Sequence, residues 1–413
     1  MPYEPSAEGR QIRESVRGFM DEHVYPNEER YYRELEELGP YGYPPVLDEL
    51  KAKAAAAGLW NLFLPDLERE HPGTRLSNLD YAPVSELLGR VHFASEVFNC
   101  APPDSGNIEI LNLYATEAVK QRWLPGLLSG DVKSAYSMSE PNVASSDATN
   151  IDLSITVDGD HYVLNGRKWF SSGALGERCK FLIVMGRSSA EGPRHRRHTM
   201  LLVPLDTPGI EFGVEPKVFG YEERGGHPEV IYRDVRVPAD HLLGERDGGF
   251  AIAQARLGPG RIHHCMRAIG VMERGLELMI IRSLKRRTFG TALAHKGVIQ
   301  DWIADARVKI DMAREYVLRA AYLMDTVGNK AAASEIAGIK VAIPQIGLEV
   351  LDRAIQVYGA EGVTQFSPLA FMYVKMRTLR LADGPDEVHK MSIARREIQK
   401  YDPSFRITPR AGV

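Results

Sequence analysis

Cysteine is scarce in this chain, and neither sign of charge dominates it. The 413 residues include three cysteines, Cys100, Cys179 and Cys265, which are too few and too scattered for a disulfide framework. That usage is typical of a protein in a reducing compartment. The formal net charge of -4 leaves no basic excess to neutralise phosphates, so the composition argues against nucleic-acid binding. The chain is long enough to form two or three hydrophobic cores.

Long apolar runs are also missing. No stretch approaches the roughly 18 apolar residues that a membrane span needs. The first residues, Met1-Pro2-Tyr3-Glu4, do not start the basic and then apolar pattern of a signal peptide. We therefore expect a cytoplasmic protein that has no membrane partner.

Two common signatures of cofactor and metal sites do not occur. No Gly-x-Gly-x-x-Gly motif follows a predicted strand, so a Rossmann nucleotide site is not supported. The run His263-His264-Cys265 does not suit a metal, because adjacent residues of a helix point about 100° apart. The sequence therefore predicts no metal site.

Three regions with different hydrophobic periods divide the chain. Residues 1–133 have helical spacing, residues 134–245 contain short runs that alternate in twos, and residues 246–413 return to helical spacing. The pattern predicts a mainly α protein with a helical domain, a small antiparallel β domain and a helical bundle. The long helices expected in the bundle are Gly260–Arg287, Lys296–Val327, Ala331–Tyr358 and Leu369–Leu381.

Two segments of the middle region suit a flat polar cofactor. Tyr136–Asp147 is rich in hydroxyls and small residues, which let backbone N–H groups approach a polar ring or a phosphate. In Asn165–Gly173 a predicted strand ends in an aromatic residue, and a period of two would put Trp169 and Ser171 on the same face. Taken alone, the two segments also fit a polar linker and a core tryptophan.

Two further segments belong to the C-terminal region. Arg286–Gly290 places a guanidinium, an aromatic ring and a glycine at a helix end, which suits a pyrophosphate. Gln356–Gly362 ends a helix in a glycine-rich loop where a ligand could approach the backbone. A charged last turn and an ordinary C-cap also explain them when each is taken alone.

Asp383 stands between two helical segments near the C-terminus. The adjacent Gly384 predicts a bend, and a bend could hold the carboxylate over a pocket. A fixed and poorly solvated carboxylate makes a useful general base. An Asp-Gly pair by itself is more often only a turn, so the interpretation depends on the rest of the chain.

In this order, the four segments and Asp383 resemble the acyl-CoA dehydrogenase family from about Ser6 to Lys400. The strings Glu140–Asn150, Leu257–Met266 and Ala382–His389 resemble one branch, in which some relatives are fused to a phosphotransferase-like domain. The resemblance implies an N-terminal helical domain, a middle antiparallel β-barrel and a C-terminal four-helix bundle.

The resemblance also implies FAD as the cofactor. The first two segments would line the isoalloxazine ring, with Ser171 bonded to flavin N5. The two C-terminal segments would hold the ADP part of FAD bound in a neighbouring subunit, so a homodimer or homotetramer is expected. The implied cofactor-binding residues are Tyr136, Met138, Ser139, Ser145, Trp169, Phe170, Ser171, Arg286, Thr288, Phe289, Gln356, Gly359, Ala360, Pro385, Asp386 and Glu387.

Asp383 falls where the family usually carries its catalytic Glu. The Asp carboxylate stands one methylene further back, on the order of 1.5 Å. Some members place the base on another helix, but that position resembles Gly260 here, which cannot serve. The implied substrate-binding residues are Ser145, Arg261, which would orient the active-site loop, and Gly384.

The implied reaction is α,β-dehydrogenation of an acyl-CoA thioester to a trans-2-enoyl-CoA, a step of fatty-acid β-oxidation. Electrons would pass to an electron-transfer flavoprotein. Two alternatives stay open, namely a flavin oxidase of the same fold, acting on acyl-CoA or nitroalkanes, and a catalytically idle flavin-binding assembly protein. Oxygen consumption without an acceptor protein would indicate the oxidase, and a flavin that acyl-CoA does not bleach would indicate the idle protein.

Overall fold

A computed structural model describes residues 3–406. The α-helices are α1 Ala7–Phe19, α2 Glu28–Leu38, α3 Pro45–Ala56, α4 Asn78–Gly89, α5 Ala94–Val97, α6 Asp104–Tyr114, α7 Glu117–Ser129, α8 Gly249–Lys285, α9 Gly297–Val327, α10 Ala333–Tyr358, α11 Leu369–Thr378 and α12 Asp386–Gln399. The strands are β1 Lys133–Ser137, β2 Ser154–Asp158, β3 His161–Lys168, β4 Cys179–Arg187, β5 His198–Pro204, β6 Ile210–Phe212, β7 Val230–Pro238, β8 Arg287–Thr288 and β9 Thr291–Ala292.

The chain forms two compact units, and neither is continuous in sequence. The sheet unit comprises Phe19–Leu76 and Ser95–Leu257. The bundle unit comprises the chain up to Gly18, the segment Ser77–Ala94 and the chain from Gly258 onward. The predicted order of a helical region, a β region and a second helical region is confirmed.

The sheet of the sheet unit has seven strands in the order β1-β4-β2-β3-β7-β6, and β5 pairs with β4. Its core consists of alternating apolar residues such as Leu182, Val184, Leu201 and Val203. The expectation of a purely antiparallel domain is wrong, because β1 and β2 both pair in parallel with β4. The β2–β3 hairpin separates β1 from β4 in sequence, and this long connection allows the parallel pairing.

In the bundle unit, α10 packs against α9, α11 and α12. Up to residue 406, where the description ends, the C-terminal region has five α-helices, α8 to α12, and the resemblance implied a four-helix bundle. The helix α4 comes from the N-terminal half and lies directly against α8. A Cβ atom at Gly270 would overlap the carbonyl oxygen of Glu86, and one at Gly89 would overlap that of Arg267. Only glycine permits so close an approach of two helices.

The helix α8 begins at Gly249, eleven residues before the predicted start at Gly260. Pro259 lies inside this helix, although the run Gly258-Pro259-Gly260 favours a break. A proline removes one backbone hydrogen bond, but the burial of Leu257 and Ile262 on either side outweighs that loss. The other three predicted helices of this region agree with the structure to within a few residues.

Candidate active site

Asp383 lies in the turn that joins α11 to α12. Its backbone φ of 56° and the φ of 103° at Gly384 are both in the left-handed region. Gly384 adopts this conformation at little cost, and Pro385 then stands just before the first residue of α12. The predicted bend is confirmed. The Asp383 side chain is 18% exposed, so its carboxylate is partly shielded from water but still accessible.

Three side chains, one each from α8, α10 and α12, hold the backbone of this turn. Arg261 Nε donates to the Asp383 carbonyl oxygen at 2.9 Å, and His389 Nε2 lies 3.3 Å from the same oxygen. The fully buried Lys340 donates from Nζ to the carbonyl oxygens of Leu379 and, at 3.3 Å, of Gly384. Because these bonds satisfy the carbonyls of the turn, they fix the position of the Asp383 side chain.

Burial sets the charge of these supporting groups. It lowers the pKa of His389 to about 4, with the charges of Arg261 and Lys340 acting in the same direction. His389 is therefore neutral near pH 7 and can donate one ring N–H to the turn. Burial also lowers the pKa of Lys340 and of Arg261, and the Asp383 carboxylate opposes both shifts.

Gly260 and His264, one turn apart on α8, approach the Asp383 carboxylate. A Cβ atom at Gly260 would lie 3.5 Å from Asp383 Oδ2. His264 Nε2 lies 3.4 Å from the same oxygen. Sequence reasoning missed His264, since it weighed this residue only as a metal ligand. The spacing of three residues from Arg261 could have found it, because such pairs share one helix face.

The residues after Gly384 differ in accessibility. Asp386 is 1% exposed, and its Oδ2 accepts from Arg380 Nε at 2.7 Å and from Gln345 Nε2 at 3.0 Å. Its carboxylate is therefore committed to α10 and to the turn, and its backbone N–H donates to the Arg380 carbonyl oxygen at 3.1 Å. Pro385 is half-buried and Glu387 is exposed.

The sheet unit brings the first two predicted segments together. The Trp169 N–H donates to the Ser139 carbonyl oxygen at 3.0 Å, and the Glu140 N–H donates to Ser145 Oγ at 2.9 Å. The buried Lys168 ammonium bonds to the Met138 carbonyl oxygen at 2.8 Å and to Glu140 at 2.7 Å. Burial nevertheless lowers the pKa of Lys168 to about 8. This ion pair locks the two segments side by side.

Trp169 and Ser171 do not share a face. The strand β3 ends at Lys168, and Phe170 has a φ of 51°, which ends the alternation of side chains. The predicted same-face arrangement is therefore wrong. Ser171 Oγ is buried 2.9 Å from Ser137 Oγ, which lies 2.9 Å from the Tyr232 hydroxyl. Trp169 is half-buried and Phe170 is exposed.

Tyr136, which is also predicted to bind the cofactor, contacts Arg256, a residue that sequence reasoning missed. The guanidinium carbon of Arg256 lies 4.0 Å from the centre of the Tyr136 ring, and Arg256 Nε donates to Asn107 Oδ1 at 3.2 Å. Burial raises the pKa of Glu109 on α6 to about 8, and the charge of Arg256 opposes that shift. The environment of Tyr136 is thus polar as well as aromatic.

The two C-terminal segments lie at neighbouring helix ends in the bundle unit. Arg282 on the last turns of α8 forms an ion pair of 2.8 Å with Glu361, just after α10. Phe289, in the β8–β9 hairpin, is 96% exposed. Arg286, Gln356, Gly359 and Ala360 are exposed as well, and Thr288 is half-buried. These residues are accessible to a ligand or to another subunit.

The donor set fits a flavin dinucleotide. In the sheet unit, the half-buried indole of Trp169 is held next to the half-buried Ser139 and Ser145, which combines a flat apolar surface with hydroxyls. In the bundle unit, the exposed guanidinium of Arg286 suits a pyrophosphate. Ser171 departs from this fit, since its hydroxyl is turned inward to Ser137.

Within residues 3–406, no three His, Cys, Asp or Glu side chains cluster in a way that could hold a metal ion. Over the same residues, none of the helices is both long enough and apolar enough to span a bilayer.

Comparison with known proteins assigns the whole chain to one family. Three domain models match in order, for the acyl-CoA dehydrogenase N-terminal domain at residues 6–131, the middle domain at 135–235 and the C-terminal domain at 247–398. The chain is 49% identical to "Probable acyl-CoA dehydrogenase FadE2" of Mycobacterium tuberculosis, over 98% of this chain and 99% of that protein.

A second group of relatives is longer. The chain is 48% identical to acyl-CoA dehydrogenase family member 11 of Gallus gallus, over 98% of this chain but 52% of that protein. It is 48% identical to the same family member of Mus musculus, again over 52% of that protein. The chain thus spans about half the length of these vertebrate relatives.

Solved structures agree with this assignment. A Mycobacterium abscessus protein, provisionally named an acyl-CoA dehydrogenase, superposes with a TM-score of 0.93 at 48% identity, over 96% of this chain and all of that one. Butyryl-CoA dehydrogenase of Megasphaera elsdenii has a TM-score of 0.80 at 24% identity, over 96% of this chain and 99% of that one, which shows the shared fold alone. The chain belongs to the acyl-CoA dehydrogenase family, whose members are flavin-dependent oxidoreductases.

Proposed function

We propose that this protein is an FAD-dependent acyl-CoA dehydrogenase that converts an acyl-CoA thioester to a trans-2-enoyl-CoA, with Asp383 as the general base. The observation that carries the proposal is the Asp383 turn. The Asp383 carboxylate is partly shielded from water, and Arg261, Lys340 and His389 hold the backbone of its turn by hydrogen bonds. Such a carboxylate is held rigidly enough to remove a proton from a positioned substrate.

The residues around Asp383 have separate roles in the proposed reaction. Asp383 removes the proton from the carbon α to the thioester, and its backbone N–H is the donor that we assign to the thioester carbonyl. Arg261 and Lys340 keep the turn fixed while the carboxylate changes its charge. Gly384 and Ser145 are the further substrate contacts that we propose.

Cofactor binding is assigned to both units. Residues Tyr136 to Ser145 together with Trp169 would hold the flavin ring, and Arg286 and Gln356 would hold the ADP part of FAD in a neighbouring subunit. Bound FAD would supply the acceptor for the hydride from the β carbon. The proposal therefore includes a homodimer or homotetramer, and an electron-transfer flavoprotein as acceptor in a cytoplasmic β-oxidation step.

The test is reduction of the bound flavin under anaerobic conditions by butyryl-, octanoyl-, dodecanoyl- and palmitoyl-CoA, for the parent and for Asp383→Asn. Asn has the same shape but cannot accept the proton. We expect one or more thioesters to bleach the parent, and the variant to be slower by at least about 10²-fold with unchanged FAD content. A variant that reduces flavin at the parental rate would show that Asp383 is not the base.

The electron acceptor is tested separately with the same thioesters. A dehydrogenase should turn over with an electron-transfer flavoprotein and consume little oxygen without it. Rapid oxygen consumption in its absence would indicate an oxidase instead. A flavin that no thioester bleaches would favour a flavin-binding protein that has no catalytic activity.

A further inference from the structure

His264 contacts both a cation and the Asp383 carboxylate. Its Nδ1 lies 3.1 Å from Arg267 Nη2, one turn further along α8. Its Nε2 lies 3.4 Å from Asp383 Oδ2, across the gap between α8 and the turn. The His264 side chain is 22% exposed, so the ring is largely enclosed between these two contacts.

The hydrogen bond from Arg267 determines which ring nitrogen of His264 carries the proton. A guanidinium has only donors, so Nδ1 of His264 must accept, and it therefore carries no proton. A neutral imidazole that has no proton on Nδ1 carries it on Nε2. The N–H that results is on the side of the ring that faces Asp383 Oδ2. The order of donation thus runs from Arg267 to His264 and from His264 to Asp383.

The groups around the ring act on its charge in opposite directions. Arg267 disfavours an imidazolium and the Asp383 carboxylate favours it, so the tautomer is assigned from the donor at Nδ1. The charged and titratable groups around it include Arg267 and His263 on α8 and Asp383 on the turn. Burial, with the charge of Arg267 acting in the same direction, lowers the pKa of His263 to about 3, so His263 is neutral near pH 7. The positive charge of Arg267 opposes a second positive charge on His264.

We propose that His264 is a positioning residue for Asp383, whose Nε2–H holds the carboxylate oxygen Oδ2 and fixes the rotation of the carboxylate. Arg267 holds the ring in the tautomer that this role requires. This inference rests on the proposed function, since it takes Asp383 as the base. The His264 ring thus orients the Asp383 carboxylate for proton removal. It has no role in metal binding or in contact with the cofactor.

The experiment compares two replacements of His264 with a distant control. His264→Leu keeps an apolar side chain of similar bulk but removes the donor, whereas His264→Gln keeps an N–H near the position of Nε2. His295→Leu is the control, because His295 is exposed and lies outside the Asp383 turn. Each purified holoenzyme is assayed for FAD content, thermal melting, and the pH dependence of flavin reduction by the thioester that bleaches the parent fastest.

Removal of the donor should act on rate and on pH dependence together. A donor to a carboxylate favours its ionised form. The acidic limb of the His264→Leu profile, which follows ionisation of Asp383, should therefore move up by about one pH unit. At neutral pH the variant should reduce flavin about tenfold or more slowly, with little change in KM. His264→Gln should recover most of the rate and of the profile, and His295→Leu should match the parent.

Two results would overturn the inference. One is a His264→Leu enzyme with the parental rate and pH profile; the other is a slow His264→Leu enzyme whose profile stays in place and which His264→Gln does not improve. Asp383→Asn, measured in parallel, separates this failure from failure of the proposed function. If Asp383→Asn is inactive while His264→Leu is normal, the base assignment stands and only the role of His264 is wrong. If Asp383→Asn is fully active, both assignments are wrong.

Discussion

Replacement of Asp383 by Glu would show whether the site is built for the shorter carboxylate. Glu adds one methylene, on the order of 1.5 Å. His264 Nε2 is 3.4 Å from Asp383 Oδ2, and a Cβ atom at Gly260 would be 3.5 Å from it. Extension by a methylene in that direction would leave roughly 2 Å to the His264 ring, which is a clash, so the Glu side chain would have to bend away.

A bent side chain would misplace the base by about 1 Å. Misplacement of that size can cost about 10²-fold in rate, so we expect Asp383→Glu to be between about tenfold and 10²-fold slower on its best substrate. The loss should be smaller on straight-chain thioesters, if the site is shaped for a bulkier α carbon. The assay is single-turnover flavin reduction by octanoyl-CoA and by 2-methylbutanoyl-CoA, which is branched at the α carbon, in both proteins.

A second substitution tests the steric reasoning. Gly260→Ala places a methyl group at an ordinary contact distance from Asp383 Oδ2, so the parent should tolerate it. In the Glu background the same methyl group should add to the crowding, and the two effects should be more than additive. Uniform acceleration of Asp383→Glu on every thioester would refute the reasoning, because Asp383 would then be only a weaker version of the same base.

Two further predictions concern the cofactor and acid stability. Arg286→Ala should weaken FAD binding by about 10- to 10²-fold, measured as flavin lost on dialysis, because a charge-assisted bond is worth roughly 1.5–3 kcal/mol; unchanged retention would contradict the role of Arg286. The folded-state pKa of His389 is about 4, below its ordinary 6.5, so the unfolded chain binds more protons between these values and stability falls as the pH drops through that window. The loss amounts to up to about 3 kcal/mol in the free energy of unfolding, and a urea titration series should find it reduced in His389→Gln.

Local signals in the sequence predicted the position of the candidate base, but they did not predict the residues that hold its turn in place. Gly384 predicts a bend at Asp383, and the structure has that bend. Lys340 and His389 hold that bend from α10 and α12, and their role depends on how those helices pack, which no short motif encodes. Tertiary contacts of this kind are visible only once the bundle has been built.

The errors in the sequence-based predictions have local physical causes. The alternation of side chains predicted for the end of β3 does not continue through Phe170. Its left-handed backbone turns Ser171 into the sheet unit. The sequence predicts that a helix starts at Gly260, but burial of the apolar residues on either side of Pro259 lets α8 continue through it from Gly249. The parallel partner of β1 could not be predicted, because strand pairing depends on the path of the chain through the whole sheet.

The division of the chain into interleaved units has a consequence for how it is synthesised. The helix α4 leaves the ribosome early, but the part of α8 against which it packs, and α9, follow only after the sheet unit has been made. During that interval Tyr81, Val84 and Leu88, which are buried in the finished protein, have no α8 or α9 to cover them. The interval is therefore the time at which a nascent chain most needs a chaperone, and a fragment that ends at residue 131 would never leave that state.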